Sequence, residues 1–93
     1  MAPIAITVGL SPVGTAVRGD ESLVYITNFS SSNVSVINTA TNTVVATIPV
    51  GNAPRLIAVS ADGTRAYVAN ALSDTVSVIN TVTNTVTATI AIA

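Results

Sequence analysis

The chain has 93 residues, of which 8% are charged, and its formal net charge is −1; Arg18, Arg55 and Arg65 are its only cations and stand far apart, which excludes the clustered Arg and Lys of a nucleic-acid interface. Cysteine, histidine and lysine are absent, so there is no disulfide, no sulfur-ligated metal and no nitrogen base to activate a serine or threonine. The hydrophobic fraction is 49% and the mean hydropathy +0.70, yet Thr, Ser or Asn interrupt every apolar run well short of the roughly 18 residues that a membrane span needs.

Met1 to Leu10 (MAPIAITVGL) has neither the basic stretch nor the continuous apolar core of a signal peptide. Its Ile6, Val8 and Gly9 match Ile48, Val50 and Gly51 further along, so residues 2–9 are expected to be the outer strand of a preceding unit. From residue 10 the chain is a tandem repeat. An offset of 42 places YITNFSSSNVSVINTATNTVVATI, from Tyr25, on YVANALSDTVSVINTVTNTVTATI, from Tyr67, and pairs Pro12 with Pro54 and Asp20 with Asp62. Roughly half of the aligned positions are identical, a self-similarity that marks a repeat architecture. The expected frame is therefore residues 2–9, a first unit over 10–51 and a second over 52–93.

Each unit carries four short β-branched runs bounded by Gly, Pro, Asn, Asp and Ser, the pattern of strands. In the second unit they are Leu56 to Ser60, Arg65 to Asn70, Thr75 to Thr81 and Thr85 to Ile92. The intervening segments 61–64, 71–74 and 82–84 are short enough for hairpins. Asp62-Gly63 is the sharpest turn signal, because Gly tolerates positive φ. The first unit has Asp20-Glu21 at the corresponding place; Glu supplies no such freedom, so Gly19 is expected to take the special conformation there. Val34, Val36 and Ile37, like Val76, Val78 and Ile79, put apolar bulk on both faces of a strand, as a sheet held between two neighbours requires. Four-stranded units about 42 residues long match the blades of a β-propeller.

Tyr25-Ile26-Thr27-Asn28, Tyr67-Val68-Ala69-Asn70 and the stretches SVINTATNTVVATIPVGNAP and VSADGTRAYVAN closely resemble the YVTN β-propeller repeat of surface-layer and secreted proteins of archaea and bacteria, over nearly the whole chain from Ile4. The resemblance implies an all-β propeller, commonly seven-bladed, serving as surface architecture or as a binding platform, with no catalytic residues shared by the repeat. Arg18 to Glu21 depart from the usual Ser-Pro-Asp-Gly turn.

Two blades leave two faces bare, each on the order of 300 Å² from strand dimensions, together at the upper end of what a monomer exposes. The expectation is thus an all-β chain of two four-stranded antiparallel blades plus an extra N-terminal strand, completing a propeller by homo-oligomerisation. Three chains would give six blades and four would give eight, with eight marginally preferred; a rotation that fails to close would give a filament. Ile4, Ile6 and Val8 align with the same outer-strand slot as Val86, Ile90 and Ile92, so one segment is expected to exchange into a neighbour, add as a fifth strand or fray.

Asp20, Glu21, Asp62 and Asp74 fall in turns, and the spacing of a calcium loop is absent, so neither a catalytic residue nor a cofactor is expected. Arg18-Gly19-Asp20 spells the tripeptide that integrins read, at a place where the repeat needs a turn. Asn28-Phe29-Ser30 and Asn33-Val34-Ser35 are N-x-S sequons, Asn33 being the better glycosylation candidate. The function read from these residues is a self-assembling structural module, extracellular or at a cell surface, or an engineered propeller fragment, and not an enzyme. The alternatives are a platform presenting turns such as Asn52-Ala53-Pro54-Arg55 to a glycan or peptide, and the subunit of an extracellular filament.

Overall fold

The computed structural model describes residues 6–92. Eight strands follow in chain order: β1 (Pro12–Val17), β2 (Leu23–Asn28), β3 (Asn33–Asn38), β4 (Thr43–Pro49), β5 (Pro54–Val59), β6 (Arg65–Asn70), β7 (Thr75–Asn80) and β8 (Thr85–Ala91). They form two four-stranded antiparallel sheets, β1-β2-β3-β4 and β5-β6-β7-β8. The all-β reading and the two blades hold, with β5 starting two residues before the expected Leu56. Among the described residues no helix is long and apolar enough to cross a membrane.

The loops repeat as faithfully as the strands. Left-handed φ values occur at Ser11 and Ala53, Glu21 and Gly63, Ser32 and Asp74, and Asn42 and Asn84, each pair 42 residues apart. Only Gly63 among these is glycine, so the other turns hold an ordinary residue where left-handed backbone costs about 1–2 kcal/mol. Local bonds over-determine them. The Asn38 side-chain oxygen accepts from the Ala40 N–H at 2.8 Å, while the Asn42 N–H reaches the Asn38 carbonyl at 2.8 Å; Asn80, Val82 and Asn84 repeat the arrangement.

The turn expected to rest on Gly19 rests instead on Glu21, at φ 62, while Gly19 is not left-handed. The Glu21 N–H donates to the Arg18 carbonyl at 2.7 Å, as the Gly63 N–H does to Ser60 at 2.9 Å. The Asp20 carboxylate accepts from the Ser22 N–H and hydroxyl at 3.0 and 2.7 Å, and Asp62 does the same with Thr64 at 3.1 and 2.8 Å. This Asp clamp imposes one turn on both sequences, and Glu21 adopts the glycine conformation because its neighbours leave no other.

Each sheet has a register shift between its first two and its last two strands, which places Val13, Val45, Arg55 and Thr87 at bulges that strengthen local twist. The sheets stack face to face. Tyr25, Val34, Val36 and Ile48 of the first pack against Ala66, Val68 and Ile79 of the second in one buried core. The sheets approach most closely through β1 and β5 and diverge toward β4 and β8, the wedge of two blades with β1 and β5 innermost.

Ile6, Thr7 and Val8 belong to no strand, and Ile4, with the rest of residues 1–5, lies outside the described residues. The segment nevertheless enters the first blade as its counterpart enters the second: a β-carbon on Gly9 would come within 2.7 Å of the Asn28 side chain, and one on Gly51 within 2.8 Å of Asn70.

Candidate assembly interface

The joint between the two blades shows what a blade face needs. At its inner edge the backbones touch, since a β-carbon on Gly14 would collide with the Arg55 carbonyl oxygen. Beside it the Thr27 hydroxyl accepts from the Gly14 N–H at 2.8 Å and donates across the joint to the Arg55 carbonyl at 3.0 Å. Tyr25 is fully buried with its hydroxyl beside Thr81 of the second blade. Thr81 donates its hydroxyl proton to the Gly63 carbonyl, and burial pushes the pKa of the Tyr25 phenol up. The Arg18 side chain lies over Gly63, where a β-carbon would meet its Nε at 2.7 Å.

The same repeat surface recurs on the far side of the second blade, where among the described residues no further blade covers it. Tyr67, the counterpart of Tyr25, is 41% exposed, and Ile90 is 50% exposed where Ile48 is 2%. A groove of about 330 Å³ runs there between Leu56, Ala69, Val76 and Ile92, with Arg55 and Asp74 also lining it. At the internal joint Ala53 and Pro54, at the start of β5, are both buried, whereas their counterparts Ser11 and Pro12 are exposed. The pair of blades thus presents an open groove on its second blade and, on its first, exposed counterparts of residues that are buried at the internal joint.

A family model described as YNCE-like beta-propeller matches residues 3–92. The chain belongs to the YNCE-like β-propeller family. Solved structures similar to this YNCE-like chain include hydrazine synthase of Kuenenia stuttgartiensis, 31% identical with a TM-score of 0.82 over 84% of this chain and 23% of that one. Apo AztD of Citrobacter koseri is 17% identical with a TM-score of 0.80, over 94% and 25% of the two chains. The dihydro-heme d1 dehydrogenase NirN is 25% identical with a TM-score of 0.78, over 87% and 17%. The chain spans about a quarter of the length of the first of these structures. No curated protein matches it.

Within this YNCE-like pair of blades, the residues expected to form assembly strands are placed in three settings. Ile6 and Val8 are half-buried, and Val8 lies with Thr7 and Gly9 beside Asn33, Ser35, Val44 and Thr47 on the open face of the first blade. Val86 is half-buried against the joint already described. Ile90 and Ile92 are exposed on the second blade. Of the sequons, Asn28 is fully buried, and its Nδ2, the atom a glycan would need, donates to Asn33 Oδ1 at 2.8 Å and Ser35 Oγ at 2.9 Å. Asn70 repeats this with Thr75 and Ser77. Asn33 is half-buried and spends only its carbonyl oxygen on Asn28.

The carboxylates are held in turns. Bonds from the Ser60 hydroxyl and from the Thr64 N–H and hydroxyl lower the Asp62 pKa to about 2; the Ser22 hydroxyl and N–H lower that of Asp20. Arg18 Nε stands 3.8 Å from Asp20, so the Arg-Gly-Asp tripeptide is folded on itself. Among the described residues no group of three or more acidic side chains is placed to hold a metal ion. Gly14 and Thr27 meet the second blade at the joint; Thr27 lies in the Tyr25–Asn28 motif, whereas Gly14 belongs to none of the quoted motifs, and the 42-residue offset pairs them with Leu56 and Ala69.

Proposed function

We propose that this chain is a structural propeller module of the YVTN-repeat, surface-layer type, which covers its open blade faces with further copies of itself to build a multi-bladed extracellular ring. The observation that carries the reading is the contrast between Tyr25 and Tyr67: the same residue, at the same place in the same repeat, is buried where a blade covers it and 41% exposed where none does. Ser11 and Pro12 of a further copy are the natural occupant of the groove at Leu56 and Ile92, since their counterparts Ala53 and Pro54 are buried at the joint within the chain. That precedent favours a copy of the chain over a glycan or peptide in the same groove. A structural role, and not catalysis, is supported by the absence of His, Lys and Cys and by the engagement of Asp20 and Asp62 in their turns. The low charge and the Thr, Ser and Asn content suit an extracellular layer.

With no tryptophan in the chain and tyrosine only at 25 and 67, Tyr25→Phe leaves Tyr67 as the sole tyrosine, excited selectively at wavelengths where phenylalanine does not absorb. Its emission is expected to become protected from acrylamide as protein concentration rises; accessibility that stays constant over the whole range would contradict the reading.

A further inference from the structure

The two joints of such an assembly are not alike, and the difference lies at the innermost strands. Inside the chain the joint closes on Gly14, where no β-carbon fits under the Arg55 carbonyl, and is latched by the Thr27 hydroxyl on that carbonyl at 3.0 Å. The 42-residue offset places Leu56 where Gly14 stands, Ala69 where Thr27 stands, and Val13 of the incoming copy where Arg55 stands. In the geometry of the internal joint, the Leu56 side chain would therefore occupy the position of the Val13 carbonyl, and Ala69 offers no hydroxyl to latch it. Leu56 is 73% exposed in the isolated chain, so its own blade does not draw it in.

We infer that Leu56 is a wedge that sets the geometry of the joint between copies, holding the inner strands of successive chains further apart than β1 and β5 lie within one chain. This rests on the proposed self-assembly. Sheets that meet through side chains pack about 10 Å apart, whereas backbones that meet at glycine come closer. Spreading the inner edge while the outer edge stays put reduces the angle between blades, so each joint between copies turns the ring less than each internal joint. The number of copies needed to close the ring rises accordingly. Alternation of two joint types also gives the chain a direction, because the face bearing Leu56 and Ala69 does not reproduce the one bearing Gly14 and Thr27.

The test compares solution masses by light scattering for the native chain, for L56G/A69T, which recreates the internal joint, and for L56W, which enlarges the wedge on an exposed side chain and leaves the blade core intact. Native chains are expected to form an assembly, L56G/A69T one smaller by at least a copy, and L56W one that is larger or does not form. An assembling native chain whose mass neither substitution changes would overturn the inference and leave the self-assembly reading standing. A native chain that is monomeric at all concentrations would remove both. Circular dichroism establishes that each variant is folded, and L56W alone decides the matter if the glycine loosens β5.

Discussion

Cutting each tyrosine to alanine separates the joint that exists within one chain from the joint that needs another. An aromatic side chain buries roughly 150–250 Å², worth about 4–6 kcal/mol at about 25 cal/mol per Å², close to the roughly 3–5 kcal/mol measured for such truncations in cores. Tyr25 is fully buried, so Tyr25→Ala is expected to cost about 3–5 kcal/mol, a large part of the roughly 5–14 kcal/mol available to a chain of this length. Tyr67 is 41% exposed, which leaves it about three-fifths of that burial and a cost of about 2–3 kcal/mol. Urea unfolding followed by circular dichroism reads both. In dilute solution Tyr25→Ala lowers the midpoint more than Tyr67→Ala, and at concentrations where copies associate the gap narrows as Tyr67 is covered. Equal costs in dilute solution, or a gap indifferent to concentration, would refute the reasoning.

Glu21→Gly relieves left-handed strain and is expected to raise stability by about 0.5–1 kcal/mol after the entropy of the added glycine is counted, while Gly19→Ala is close to neutral because its β-carbon meets nothing nearer than 3.9 Å; thermal melts of the two check this. Thr27→Val keeps the shape but strips the Gly14 N–H and the Arg55 carbonyl of their partner, costing about 1–3 kcal/mol, and Thr27→Ser recovers most of it in denaturant titrations. Asp62, held at about 2, contributes stability that is complete above its ordinary value near 4 and is lost as pH falls through about 2. A carboxyl NMR titration is expected to find that midpoint, and Ser60→Ala to raise it.

The periodicity of 42 residues made the blades, their four strands and their turns legible, because hairpins joined in order need little beyond local pattern. Turn chemistry was legible only where a residue announces itself. Gly63 does, whereas propensity alone points to Gly19 and the Asp20 clamp on Ser22 sets the left-handed residue at Glu21; the offset from Gly63 is the signal that outranks propensity. The bulges at Val13 and Val45 leave no mark in an alternation of β-branched residues. Of the outer strand expected over residues 2–9, Ile6, Thr7 and Val8 belong to no strand, and residues 2–5 lie outside the described residues. The residues of the internal joint are hidden for a physical reason: Gly14 looks unremarkable singly, and its meaning appears only when two blades are in contact.

Sedimentation and light scattering of the purified chain over a wide concentration range test the central claim most directly. A discrete assembly of three or four 9.3 kDa chains, six or eight blades, is the predicted result; a folded 9.3 kDa monomer at every concentration would contradict it.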